Sequence, residues 1–187
     1  MNTSPSLKTA DTARSTLIVV FLAETAFFGT LLMAYLYMRT GPSEVMFKPI
    51  AAWDRLFAGI NTAVLLLSAW TTHQSSVDIQ QGRKDRLTTN LLISVALGIL
   101  FIFGQLFEFS HAHMAVNDAF FGGIFFALMG FHALHVVAGI LILALNYRRA
   151  RLGDFTASHY VAVQVGTWFW YYVTVIWCVL FVALYLV

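Results

Sequence analysis

The sequence predicts an all-α polytopic membrane protein, a single bundle of five transmembrane helices, and three observations carry that prediction. Hydrophobic residues make up 59% of the 187-residue chain and charged residues only 11%, too few to cover a soluble domain of this size. The apolar residues gather into five long runs that meet the requirement of roughly 20 residues for a helix crossing a bilayer core. No run alternates as a barrel strand would, and lipid offers an unpaired backbone no partner, so each run must be helical.

Taken in order, residues 1–15 read as a short, mobile polar tail with Lys8, Arg14 and no apolar core of a signal peptide. Residues 16–187 form one membrane domain, with spans at about 16–38, 56–72, 87–109, 120–145 and 161–187, the second of them the shortest. The connections are short except residues 40–55, which contain Pro42 and Pro49, and no internal repeat stands out. Lys8, Arg14, Arg83, Lys84, Arg86, Arg148, Arg149 and Arg151 fall on one side of this topology, and Arg39, Lys48 and Arg55 on the other. Eight basic residues against three place the N-terminus in the cytoplasm and Val187 outside. Tyr35, Tyr37, Trp53, Trp70, Tyr147 and Tyr160 cluster near the span ends as headgroup anchors.

The net charge is only +2 and the basic residues lie between the runs rather than in a patch, which disfavours nucleic-acid binding. Cys178 is the only cysteine, so there is no intrachain disulfide, thiolate cluster or two-cysteine copper centre. No nucleophile with its base, phosphate-binding glycine loop or H-E-x-x-H zinc helix is present, and no catalytic or metal-ligating residue is assigned.

The ionisable residues inside the spans are the informative ones. Glu24 lies about eight residues into the first span, roughly 12 Å deep at 1.5 Å per residue. An ionised carboxylate there is costly, so it must be protonated, paired or reached by water. A site for proton exchange or subunit contact, and a neutral acid bonded across helices, are both open readings. His132 and His135 are about 60° apart on one face of the fourth span, while Gly123, Ala127 and Gly130 gather near the opposite face. Small residues there would let another helix approach closely.

A metal or haem on the two histidines would need further ligands, and only Cys178 offers a thiolate. Interhelical hydrogen bonding or contact with a partner subunit is the preferred reading. Gln105 and Glu108 end the third span and are expected in the interhelical polar network, with His111, His113 and Asp118 just beyond. A zinc site is one reading of the last three and a solvated polar loop the preferred one. Asn61, Thr62 and Gln164 are expected in interhelical hydrogen bonds, and the aromatic run from Trp168 to Tyr172 in packing.

These residues, in order and along nearly the whole chain, resemble subunit III of the haem–copper respiratory oxidases. Ala23-Glu24-Thr25-Ala26-Phe27-Phe28 resembles that family's Ser-Glu-x-x-Phe-Phe segment, whose glutamate is known for carbodiimide reactivity. Asn61-Thr62 with Leu65-Leu66-Leu67-Ser68, and Gln105-x-x-Glu108-Phe109, are similar to two further family segments. The most specific stretch runs from Asp118 to Gly139 and includes Phe125-Phe126 and Gly130-Phe131-His132-x-x-His135-Val136. The family occurs with seven helices or five, and the chain resembles the five-helix form. Two departures stand in the last span. The family's Trp-His-Phe-Val-Asp-x-x-Trp reads Trp170-Tyr171-Tyr172-Val173-Thr174-Val175-Ile176-Trp177, and a glutamate often found upstream is Gln164.

The resemblance implies an accessory subunit without a redox centre, in a bacterial cytoplasmic membrane. It would pack against catalytic subunit I and subunit II, which carry the haem and copper, and would bind phospholipid and support proton uptake. Glu24 would be its buried protonatable group. The departures leave a divergent oxidase or a nitric oxide reductase relative as the partner enzyme. A stand-alone proton-coupled transporter lacks the inverted repeat and broken helices such carriers use, and a bis-histidine membrane cytochrome lacks a second deep histidine helix.

Overall fold

A computed structural model describes residues 5–40, 52–111, 119–156 and 160–186. Five helices fill them: α1 (Pro5–Thr40), α2 (Ala52–Gln80), α3 (Lys84–His111), α4 (Ala119–Arg151) and α5 (Val161–Phe181), the last continuing as a π-helical turn over Val182–Leu186. Every helix but α5 overruns both ends of the apolar run that predicts it. An apolar run marks only the part opposite hydrocarbon, whereas backbone hydrogen bonding continues into the headgroup region. α1 accordingly starts at Pro5, within the segment expected to be a tail, and proline suits a first helical position because its missing N–H has no partner there anyway.

Among the described residues four stretches are long and apolar enough to cross a membrane: Arg14–Thr40, Lys84–Ser110, Gly123–Arg151 and Val161–Leu186. α2 is not among them. Ser68, Thr71, Thr72, Ser75 and Asp78 lower its apolar content, yet all five are buried, while Leu56, Ile60, Leu66, Leu67 and Trp70 are exposed. The polar residues recur at helical spacing on the inward face, and the apolar ones look outward.

Side-chain pairs fix the directions of the helices. Glu24 meets His135 and Phe27 meets Phe131, so α1 and α4 are antiparallel. Phe21 stacks on Tyr172, and Arg39 Nη1 donates to the Leu184 carbonyl at 3.3 Å, so α1 and α5 run parallel. Ser68 Oγ donates to the Ser94 carbonyl and Asn61 Nδ2 to the Phe101 carbonyl, which sets α2 against α3. The helices therefore alternate in direction, and the turns after α2 and α4 share one end of the bundle with the start of α1.

Both turns close in the same way. Gly82 (φ 71°) and Gly153 (φ 81°) adopt the left-handed conformation open to glycine. Gly82 N–H donates to the Ile79 carbonyl and Arg83 N–H to Asp78, and Gly153 and Asp154 repeat the pattern to Ala150 and Arg149. These paired bonds satisfy the last carbonyls of each helix.

α5 is the centre of the packing. Trp170 and Trp177, two turns apart and both fully buried, send their indole N–H groups to α2: Trp170 to Ser68 Oγ at 3.1 Å and Trp177 to Thr62 Oγ1 at 2.9 Å. The Trp170 ring fits between Gly98 and Gly139, where an added Cβ would come within 2.9 Å and 2.6 Å of it. Close approach was expected instead at Gly123, Ala127 and Gly130. Among the described residues nothing lies within 4 Å of a Cβ built on Gly123 or Gly130, and Ala127 is only partly buried. Helical spacing locates a small-residue face but not the neighbour it faces, and the crossing aromatic ring comes to Gly139 on another part of α4.

Candidate functional site

The first two candidates meet on the flank of the bundle. Glu24 on α1 and His135 on α4 face each other with Oε2 3.3 Å from Nε2, the carboxylate side chain 35% exposed and the imidazole 19%. Glu24 is therefore neither isolated nor deeply enclosed within this chain. The other ring nitrogen, Nδ1, lies 2.7 Å from the Phe131 carbonyl one turn back. A carbonyl can only accept, so Nδ1 carries a proton and Nε2 is turned to the carboxyl. One further proton in the Glu24–His135 contact, on the carboxyl or on Nε2, would complete a hydrogen bond between them. Either arrangement leaves the pair neutral, which is how an ionisable couple is tolerated at membrane depth. The aromatic rings of Phe28 and Phe169 flank the imidazole at 5.3 Å and 6.5 Å.

His132 does not share this environment. Its side chain is buried, stacked on Trp177 at 5.1 Å and edge-on to Phe101 at 6.2 Å. Among the described residues neither ring nitrogen has a hydrogen-bond partner. Of the two histidines, His135 makes a polar contact across helices, with Glu24. Gln105 is also buried, and among the described residues neither heteroatom of its amide has a hydrogen-bond partner. The Glu108 carboxyl neighbours the Tyr185 phenol, but neither oxygen completes a hydrogen bond of regular geometry. Asn61 does bridge helices, donating to the Phe101 carbonyl at 3.1 Å and seated against Gly104. Gln164 lies partly buried in the first turn of α5, and the interhelical hydrogen bonds found among the described residues do not include it.

The polar network that does link the helices was largely missed by sequence reasoning. Asp78 accepts from Arg83 Nη2 at 2.9 Å and from Asn90 Nδ2 at 2.7 Å. Ser94 Oγ donates back to the Asn90 carbonyl and meets Thr71 Oγ1 at 2.7 Å. Ser68 joins the Ser94 carbonyl to the Trp170 indole. The signal was present in the three- and four-residue spacing of Ser68, Thr71, Thr72, Ser75 and Asp78. At the rim His73 Nδ1 lies 2.6 Å from the Tyr171 hydroxyl.

Among the described residues no three His, Cys, Asp or Glu side chains stand close enough to share a metal ion. The histidine and aspartate considered for zinc, His113 and Asp118, and the side chain of His111 lie outside the described residues.

The sequence features identified along the spans correspond to one family. The cytochrome c oxidase subunit III pattern matches residues 7–187. The chain belongs to that family. It is 32% identical over 171 residues to cytochrome c oxidase subunit 3 of Synechocystis sp., covering 90% of this chain and 73% of the relative. It is 28% identical to the probable cytochrome c oxidase subunit 3 of Rickettsia prowazekii, over 91% of this chain and 66% of the relative. Against cytochrome c oxidase subunit 3 of Dugong dugon it is 33% identical over 126 residues, which cover 67% of this chain and 48% of the relative. The matched region thus spans about half the length of the mammalian protein.

Two of the residues at which α5 departs from the segments it resembles make local hydrogen bonds. Tyr171 uses its hydroxyl on His73 of α2. Thr174 donates to the Trp170 carbonyl of its own helix at 2.9 Å. Neither satisfies His132.

Proposed function

We propose that the chain is the accessory, non-redox subunit III of a haem–copper terminal oxidase, seated in a bacterial cytoplasmic membrane beside catalytic subunit I and subunit II. Family membership along residues 7–187 is the observation that carries this reading. The haem and copper that reduce dioxygen reside in the partner subunits. The Glu24–His135 pair, neutral and open on the flank of α1 and α4, supports a contact there with lipid or the catalytic subunit. It is the group through which this subunit would assist proton uptake and prolong working life. Purification of the tagged complex in mild detergent, with mass spectrometry of what accompanies the chain, tests the reading. Recovery with oxidase subunits I and II supports it. Recovery alone, or with a nitric oxide-reducing partner, refutes it.

In this reading α2 is the fifth span. Its buried polar face and exposed apolar face are the inside-out pattern of a helix in lipid with polar partners in the bundle. The basic residues near the turns after α2 and α4 then lie in the cytoplasm. In a chain whose Cys178 has been replaced, Gln81→Cys should react with an impermeant thiol reagent from the cytoplasmic side and Trp53→Cys from the opposite side. Labelling of both from one side would remove α2 from the membrane-crossing set.

A further inference from the structure

Apart from Arg83 Nε at the turn and the Glu108 carboxyl, which has the Tyr185 phenol beside it, every buried side-chain atom left unpaired among the described residues belongs to His132 or Gln105. Elsewhere the interior polar groups are matched, from Asp78 and Asn90 through Ser94, Thr71 and Ser68 to the two indoles. The orphans are concentrated at one place. Edge contacts of Phe101 with His132 and of Phe109 with Phe126 fix the register of α3 against α4. Phe101, Gln105 and Glu108 form one stripe of α3 at four- and three-residue spacing. In that register Gln105 lies roughly 5 Å beyond His132 along the helix axis and Glu108 roughly 10 Å beyond it, toward the end of α3. His132 is 0% and Gln105 1% exposed.

We propose that His132 and Gln105 bind water between α3 and α4, in an internal site. The chemistry selects water over other occupants. A neutral imidazole has one donor and one acceptor, and an amide offers both. A water molecule that donates twice and accepts twice can bridge them in either tautomer. Holding such a molecule costs little beside leaving these groups dry. The site is distinct from the Glu24–His135 pair, because His132 turns inward to Trp177 while His135 turns to α1.

The test is X-ray radiolytic hydroxyl labelling of the intact complex in ¹⁸O water, read by peptide mass spectrometry. Bound water generates hydroxyl radicals in place, so buried side chains beside it are modified despite having no exposure. Trp177, stacked on His132, should be labelled at least about tenfold faster than Trp170, which is equally buried but lies against the satisfied Ser68. In Gln105→Leu the Trp177 rate should fall toward that of Trp170. Equal rates for the two tryptophans in the unaltered protein would overturn the proposal, as they would if Gln105 bonded directly to His132. A Trp177 rate untouched by Gln105→Leu would also overturn it.

Discussion

Gly139→Ala is the sharpest test of the packing around α5. A Cβ at this position would stand 2.6 Å and 2.7 Å from two carbons of the Trp170 six-membered ring. The ring cannot retreat, because its other edge is already against Gly98, and its N–H is held by Ser68. Overpacking of this kind costs about 1–3 kcal/mol, and a displaced indole would forfeit a hydrogen bond worth about 1 kcal/mol. Alanine regains about 0.5–1 kcal/mol of helix propensity. The net loss is about 1–3 kcal/mol, and lipid supplies no compensating hydrophobic term because it is as apolar as the core. Gly130→Ala is the matched control, since a Cβ there meets nothing within 4 Å. The assay is the midpoint temperature at which the subunit is lost from the detergent-solubilised complex. Gly139→Ala should lower it and Gly130→Ala should not, and Trp170→Phe in the Gly139→Ala background should cost less than in the unaltered chain. Equal midpoints for the two alanine variants, or strict additivity of the double change, would refute the wedge.

Three further outcomes follow from the polar contacts. Asp78→Ala strands Asn90 and Arg83 and should cost about 1–3 kcal/mol, read as faster tryptic cleavage at the turn after α2; the partial exposure of Arg83 keeps the effect below that of a fully enclosed pair. Tyr171→Phe removes only the rim bond to His73 and should lower stability by no more than about 1 kcal/mol, a drop larger than that of Asp78→Ala being the contrary result. Glu24→Gln should leave assembly intact and shorten the working life of the oxidase at high turnover. Inactivation kinetics identical to those of the unaltered enzyme would count against the role assigned to the pair.

How far the sequence could be read depended on whether one helix or two were needed to define a feature. Four spans were legible because a helix opposite lipid must be apolar along its own length. α2 was legible only in part. Its inward face carries Ser68, Thr71, Thr72, Ser75 and Asp78, which dilute the hydropathy while satisfying partners on α3 and α5. The family segment around Glu24 and the histidines was legible too, because it is local sequence. The pairing was not. Helical spacing placed His132 and His135 on one face, about 60° apart. At the junction of α4 with three neighbours, that angle is enough to send one ring to α1 and the other between α3 and α5. The aromatic run in α5 shows the same logic in extreme form. Trp168 lies under Arg14, Phe169 nears Phe21, Trp170 reaches Ser68, Tyr171 reaches His73 and Tyr172 stacks on Phe21. Five consecutive residues turn through more than a full circle, so a run in which all five find side-chain partners marks a helix with neighbours on most of its sides. Continuous aromaticity in the last span is therefore a statement about position: these side chains lie against α1, α2 and α4, and Tyr171 sits among them.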